Sequence, residues 1–467
     1  MIHTRLAFSA LFAFSLAACA VGPDYKAPET APAVLRNADS EVFTAASPEA
    51  DWWRQFEDPV LDQLVARALS ANLDVRVALA RVAEARALFT DTRLDQLPRV
   101  QVAGASTQSK QQQPAFSDQR MENETYSVGF DAAWELDLFG RVRRGVEAAE
   151  AEVGAARADL RDAQVTVAAE VARNYFELRG AQTRLDVARR NLETQRETVR
   201  ITQARFDVGG ADPIDIESAR ARMKATEATI PDLIAAERRA AYRLAVLAGE
   251  RPGAFDDLLT AGGGRTAPFA KALPIGDAGD LLRRRPDVQA AERRLAAQTA
   301  RIGVATADLF PRVRVTGFVG FLSGDLSSLG EGASNAWSVS PAVTWPGLDI
   351  GGARARLRAQ QARGDASLAV YDQTVLQALE DVENALVRYA QRQSQLRSLT
   401  EQAAASRRAA ELARVRYKEG ALDFLVLLDA ERTVLAAEDA VALAETGVNT
   451  DVAALYKALG GGWSGVS

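Results

Sequence analysis

"WSVSPAVTW", residues 337–345, separates two very different readings of this chain. In an extended backbone, Trp337, Val339, Pro341, Val343 and Trp345 share one side, and Ser338, Ser340, Ala342 and Thr344 share the other. The two tryptophans stand at the ends of the apolar side, where an aromatic belt would lie. "YSVGFDAAWEL" at 126–136 repeats the alternation with Val128, Phe130, Ala132 and Trp134. "VRVTGFVGF" at 313–321 places Val313, Val315, Gly317, Val319 and Phe321 together. About 9–11 residues with one apolar and one polar face is the period of a transmembrane β-strand. Taken singly, such a run also fits a half-buried strand of a soluble sheet. Two hairpins give four strands, which cannot close a barrel, and an open sheet edge cannot sit in lipid. The chain must then borrow strands from other copies. The smallest outer-membrane barrels hold about 8 strands and a water-filled lumen needs more. Three copies in a closed ring would supply about 12.

The rest of the chain reads as helix, over 59–96, 141–205, 214–249, 286–309, 353–419 and 423–459. Ala, Arg, Glu, Leu and Gln fill these stretches, all strong helix formers. Neither 141–205 nor 353–419 contains a proline. At 1.5 Å per residue, about 65 residues make a rod of roughly 100 Å. No ordinary globular domain needs such a helix. A plain coiled-coil scaffold would use one, but it would not need the strands.

The chain is also written twice. "RFDVGGADPIDIESARAR" at 205–222 aligns with "RYKEGALDFLVLLDAERT" at 416–433. Phe206 meets Tyr417, Gly209 meets Gly420 and Asp212 meets Asp423, and Gly249 and Gly460 keep the same spacing. "LDVRVALARVAEARA" at 73–87 matches "PDVQAAERRLAAQTA" at 286–300, and "LPRV" at 97–100 matches "FPRV" at 310–313. "WELDLFG" at 134–140 matches "WPGLDIGG" at 345–352 with one insertion. Six landmarks in one order imply an internal duplication.

The 467 residues carry a formal charge of −6, which argues against nucleic acid as the main partner. One cysteine excludes an internal disulfide and a Cys-based zinc site. His3 is the only histidine and precedes the first apolar run, in the segment a signal cleavage would remove. Without it the chain lacks the usual general base and the commonest metal ligand. Gly262-Gly263-Gly264 lacks the lysine and helix start of a phosphate-binding loop. An enzyme is not expected, and neither catalytic residues, a metal site nor a cofactor is assigned. His3 and Arg5 open a short basic start, and Leu6 to Ala18 are apolar or small, as in a secretory signal. "Leu16-Ala17-Ala18-Cys19" resembles the lipobox of bacterial lipoproteins, whose cysteine is acylated after cleavage. Durable anchoring takes more than one acyl chain. Ala20 after the cysteine, rather than Asp, implies the outer membrane by the same resemblance.

With these marks assembled, the chain resembles the TolC/OprM family of outer-membrane efflux ducts, in its NodT-like lipoprotein branch. The specific stretches are "DWWRQFEDPVLDQLVARALSANLDVRVALARV" at 51–82, "RRRPDVQAAERRLAAQTARIGVATADLFPRV" at 283–313, "YKEGALDFLVLLDAERT" at 417–433 and "LYKALGGGW" at 455–463. The resemblance implies a mixed α/β membrane protein. It would be a trimeric 12-stranded outer-membrane β-barrel, four strands per chain, continuing into a long periplasmic α-helical barrel. It implies a homotrimer in outer-membrane lipid, a periplasmic adaptor (membrane fusion) protein and an inner-membrane transporter of the resistance–nodulation–division (RND) type. The chain then divides into a lipoprotein signal peptide at 1–18, an N-terminal tether and equatorial segment at 19–58, and a first repeat at 59–250. An equatorial linker at 251–285, a second repeat at 286–460 and a C-terminal tail at 461–467 complete it.

The tight loops at 208–213 and 419–423 join long helices, and their glycines supply φ > 0. By resemblance, Val208, Gly209 and Gly210, with Glu419, Gly420 and Ala421, form grooves that receive the adaptor. The alternative is that the glycines only turn the chain. The family's gate residues align with Leu425 and Asp429, which are four apart and share a helix face. Three copies would give a leucine ring that excludes solutes and an acid ring that filters cations. The alternative leaves Leu425 packed and Asp429 solvated. Relatives tie the position of Tyr417 to an acid aligned with Asp215, and a second tie's basic residue falls at Leu422. Arg432 is a substitute candidate, one turn from Asp429. The function expected is the exit duct of a tripartite efflux pump for small molecules such as drugs. An exit duct for type I protein secretion and a periplasmic scaffold are the rivals.

Overall fold

A computed structural model describes residues 20–28, 35–38, 41–112, 120–261 and 266–461. In chain order the helices are α1 (Pro59–Ala71), α2 (Leu73–Leu94), α3 (Arg141–Asp207), α4 (Pro213–Leu247) and α5 (Asp256–Ala261). They continue as α6 (Ala278–Arg284), α7 (Pro286–Ala307), α8 (Ile350–Lys418) and α9 (Phe424–Ala458). The strands are β1 (Phe43–Thr44), β2 (Arg99–Gln112), β3 (Arg120–Leu136), β4 (Leu273–Pro274), β5 (Arg312–Ser323) and β6 (Asn335–Thr344). The chain divides into two compact units. One holds residues 80–157 and 290–373 with the start of the chain; the other holds 30–79, 158–289 and 374–467.

The first unit contains the sheet, in the order β2-β3-β5-β6, antiparallel throughout. Its register sorts the side chains into two faces. Val102, Phe130, Val319 and Trp337 stand in one row, and Val100, Ala132, Gly317 and Val339 in the next. The opposite face carries Gln101, Asp131, Phe318 and Ser338 across the same strands. Most of the apolar face is uncovered: Val102 is 73% exposed and Trp337 78%. The strands are the expected ones. The first hairpin, however, runs on past the apolar band into a polar extension, where Lys110 contacts Glu122 and Gln108 donates to Glu124 at 2.8 Å.

The duplication recurs in the joints between strand and helix. Trp134 Nε1 donates to the Gln96 carbonyl at 3.1 Å, and Trp345 Nε1 donates to the Leu309 carbonyl at 3.0 Å. Arg99 pairs with Asp95, four residues back, and Arg312 pairs with Asp308 in the same way. The start of the chain is strapped to this unit. Val21 donates to the Phe139 carbonyl at 3.1 Å, Asp24 accepts from the buried Arg144, and Tyr25 donates to Glu292 at 2.9 Å. Burial and the Glu292 carboxylate push the Tyr25 hydroxyl pKa up.

The second unit is mostly helical, with a core running from Phe43 to Leu459 in sequence. Trp52 stacks on Tyr456 with centroids 5.0 Å apart, and burial pushes the Tyr456 hydroxyl up to about 12. Asp58 caps α1 through Val60 at 3.0 Å and also accepts from the buried Tyr175 hydroxyl. β1 and β4 pair in parallel, which joins residues 43–44 to 273–274. Asn449 reads the backbone beside them, accepting from Phe269 N at 2.9 Å and donating to the Ala267 carbonyl at 3.2 Å. The helix expected over 59–96 is two helices, α1 and α2. Asn72 breaks it with ψ of 136°, caps α2 through Asp74 N at 2.8 Å, and donates to the Leu247 carbonyl at 2.8 Å. Helix packing is close: a Cβ on Gly180 would fall 2.1 Å from Thr446 Oγ1. Among the described residues no helix is long and apolar enough to cross a membrane.

Gly129 and Gly320 face each other across β3 and β5. A Cβ on Gly129 would lie 2.5 Å from the Val319 carbonyl oxygen, and one on Gly320 would lie 2.3 Å from that of Val128. The Phe318 ring lies over both, as aromatic rings do when they cover strand glycines. Gly129→Ala and Gly320→Ala should therefore sharply lower the yield of heat-resistant β-assembly on detergent gels. Gly332→Ala, with open space around it, should leave that yield unchanged.

Candidate functional site

The residues expected to receive the adaptor lie at two turns in the second unit, the tip turns, built alike from backbone bonds. α3 ends in a Schellman motif. Gly209, at φ +75°, donates to the Phe206 carbonyl at 2.9 Å, and Gly210 donates to the Arg205 carbonyl at 2.7 Å. α8 ends the same way. Gly420, at φ +76°, donates to the Tyr417 carbonyl at 3.0 Å, and Ala421 donates to the Arg416 carbonyl at 2.8 Å. The next helix of each pair is capped by an aspartate: Asp212 accepts from Ile214 N at 3.0 Å, and Asp423 from Leu425 N at 2.8 Å. Val208 is 83% exposed at its turn. A Cβ on Gly209 would meet nothing within 4 Å.

Leu425 and Asp429 share the outer face of α9, and Leu425 is 64% exposed. Asp429 accepts from Arg432 at 2.6 Å on its own helix, so Arg432 is its partner within the chain. The two members of the expected Tyr417–Asp215 tie have other partners within the chain. Asp215 sits at the third position of α4 and accepts from Asp212 N at 3.2 Å, completing a capping box. The Tyr417 hydroxyl reaches Thr202 Oγ1 at 3.4 Å. Tyr417 is buried against Phe424, with centroids 5.6 Å apart, and Leu422 packs beside them. Cys19 lies outside the described residues. Ala20, its neighbour, packs on Gly140, where a Cβ would come within 2.7 Å.

Arg205 was not singled out in the sequence. It lies 4.5 Å over the Tyr417 ring and donates to the Tyr417 carbonyl at 2.6 Å. It thereby joins the two turns. Its only signal was its repeat position, since Arg416 is its counterpart beside the second turn.

Residues 64–250 and 278–461 match the profile of the outer membrane efflux protein family, one stretch for each repeat. The chain belongs to the outer membrane efflux protein family. It is 33% identical to Nodulation protein T of Rhizobium leguminosarum bv. trifolii, over 98% of this chain and 97% of that one. It is 32% identical to outer membrane protein OprJ of Pseudomonas aeruginosa, over 97% and 95%. Among solved structures, the outer-membrane channel OprN superposes with a TM-score of 0.92 at 49% identity, covering 95% of this chain and 100% of that one. The open state of the Neisseria gonorrhoeae MtrE outer membrane channel gives 0.81 at 31% identity, over 95% and 98%. This efflux protein is thus an outer-membrane channel that combines a four-stranded sheet with long helices.

Arg205→Ala should loosen the joined turns without unfolding the helices. Amide hydrogen exchange over 205–212 and 417–424 should quicken about tenfold, the weight of one hydrogen bond to a charged donor. Exchange in the core around Tyr456 should not change.

Proposed function

We propose that three copies of this chain close one 12-stranded barrel and form the exit duct of a tripartite efflux pump. The single observation behind this is the sheet: among the described residues, β2 and β6 have no further strand at their outer edges, and the apolar face is uncovered. Unpaired strand edges and apolar side chains are both unstable in lipid and water respectively, and a closed ring removes the first while the bilayer covers the second. Edge β2 of one copy meets edge β6 of the next. The lumen is then lined by the row of Gln101, Asp131, Phe318 and Ser338 and its neighbours.

The partners of the duct are a periplasmic adaptor and an inner-membrane transporter of the RND class, and its cargo is small molecules. The turns at Val208, Gly209 and Gly210 and at Glu419, Gly420 and Ala421 receive the adaptor. Their exposed, side-chain-poor surface supports this. Leu425 and Asp429 form the gate, supported by their shared exposed face on α9. Tyr417 and Asp215 act as restraints near it, through Thr202 and the capping box. Cys19 carries the lipid, and the strap from Ala20 to Tyr25 supports an anchor beside the strand–helix joint. The duct performs no catalysis.

The decisive measurement is channel opening. Leu425→Ala with Asp429→Ala should raise single-channel conductance in planar bilayers and make cells sensitive to large antibiotics. Unaltered conductance would remove both residues from the gate. Detergent-purified protein should run as a heat-resistant trimer on gels; a monomer with no sheet signal would end the duct reading. Cys19→Ala should abolish labelling by palmitate, while labelling that persists would place the lipid elsewhere.

A further inference from the structure

The second unit has a polar layer in the middle of its helix packing. Toward the turns, Ala219, Ala413, Tyr417, Phe424 and Leu427 form an apolar cluster. Further along the same helices, Leu185, Ala188 and Leu233 form another. Between them lie Gln195 and Thr198 on α3, Arg222 and Thr226 on α4 and Glu431 on α9, and Arg414, beside Ala413 on α8, reaches Glu431. Glu431 is 4% exposed within the chain itself, so its burial needs no neighbouring copy. One of its oxygens accepts from Thr198 Oγ1 at 2.7 Å and from Arg414 Nη2 at 3.2 Å. Its other oxygen has no partner. Both amide atoms of Gln195, Nε of Arg222 and Oγ1 of Thr226 are also buried without one. Among the described residues, five of the eight such atoms fall in this layer.

Buried polar atoms without partners cost about 1–3 kcal/mol each. Their concentration at one height weakens the apolar cohesion of the helices there. What holds α9 at that height is the tie through Glu431. Glu431 is two residues beyond Asp429, and two residues carry the chain to the opposite side of a helix. The buried anchor therefore backs the exposed Leu425–Asp429 face.

We infer that Glu431 is a positioning residue of the gate: it latches α9 to α3 and α8 when the tip is shut, and its bonds to Thr198 and Arg414 break when the tip opens. This rests on the gate reading given above. Water entering the layer on opening would satisfy the atoms left without partners, which lowers the cost of parting the helices.

The test uses full-length protein in planar bilayers with Glu431→Gln and Glu431→Leu. Both should raise the fraction of open events about tenfold, as expected for loss of one charge-assisted hydrogen bond. Heat resistance of the assembly should be unchanged in Glu431→Gln and unchanged or higher in Glu431→Leu, because an apolar side chain of similar size removes a buried charge. Wild-type opening in a heat-resistant Glu431→Leu channel would overturn the latch and leave Glu431 as packing alone. Should the Glu431 variants fail to assemble, Thr198→Val removes one donor at constant shape and must still raise opening; wild-type opening there would equally overturn it. The Leu425→Ala, Asp429→Ala channel is measured alongside. If it opens more and the Glu431 and Thr198 variants do not, the latch alone falls. If it is unaltered while they open more, the latch stands and the constriction lies elsewhere.

Discussion

Every other feature of this chain follows from a sheet that cannot be finished by one copy. Four antiparallel strands leave two rows of backbone N–H and C=O groups unpaired, on β2 and β6. In water, side chains or loops can blunt such edges; in lipid only closure satisfies them. The same sheet turns Val102, Phe130, Val319 and Trp337 outward as one apolar row. A soluble protein would have to bury that row against a second layer, and the described residues supply none. The glycine pair at 129 and 320 belongs to this requirement as well. It lets two strands approach where Phe318 lies flat on the polar face, so the wall gains an aromatic without gaining thickness.

The duplication shows how little of a repeat has to be kept for its geometry to survive. Turn and cap chemistry is retained almost atom for atom: Gly209 with Gly420, Asp212 with Asp423, Trp134 with Trp345. Elsewhere the same problem is solved by different residues. In the first repeat Asn72 donates to the Leu247 carbonyl at the end of α4. In the second repeat Arg285 occupies the equivalent place and donates to the Ala458 carbonyl at the end of α9, at 2.9 Å. Arg285 is also buried and carries a charge, so it recruits Asp287 and Asp381, and these hold its pKa up against burial. An amide in the first repeat needs no such company. A carbonyl left over at a helix end is a fixed demand, and the side chain that meets it is free to change.

What was legible in the sequence was what local chemistry controls. Alternation gave the strands and their faces, because a two-residue period leaves no choice of side. The positive-φ glycines and capping aspartates gave the turns. The break at Asn72 was hidden because the residues on both sides are good helix formers, and only the Leu247 carbonyl makes the break worthwhile. The Tyr417–Asp215 pairing was expected by alignment; within the chain Asp215 caps the backbone at Asp212 and the Tyr417 hydroxyl reaches Thr202. Arg205 and Glu431 were invisible for a different reason. Both lie in helical runs rich in arginine and glutamate, where a charged residue is usually solvated. Which of them turns inward is decided by packing between helices distant in sequence, and no local pattern records it.

The energetics of the tip follow from which bonds cross between its two helix pairs. The Schellman bonds and aspartate caps lie within the turn of each pair, so parting the pairs leaves them intact. The bonds that do cross run along α3. Arg184 grips Asp439 with two hydrogen bonds, at 2.7 and 3.1 Å, and Asn191 meets Glu438 at 3.2 Å. Nearer the turns, Thr198 holds Glu431 and Thr202 meets Tyr417 at 3.4 Å, with Arg205 as the clasp at the end. Hydrogen bonds between two neutral hydroxyls are weaker than those between an arginine and a carboxylate. The seam is therefore tightest away from the turns and weakest beside them, apart from one arginine. Parting the pairs therefore requires no helix end to unfold. Parting the two pairs would break the bonds along α3 and leave each turn whole, so the conformational entropy of each turn would stay as it was.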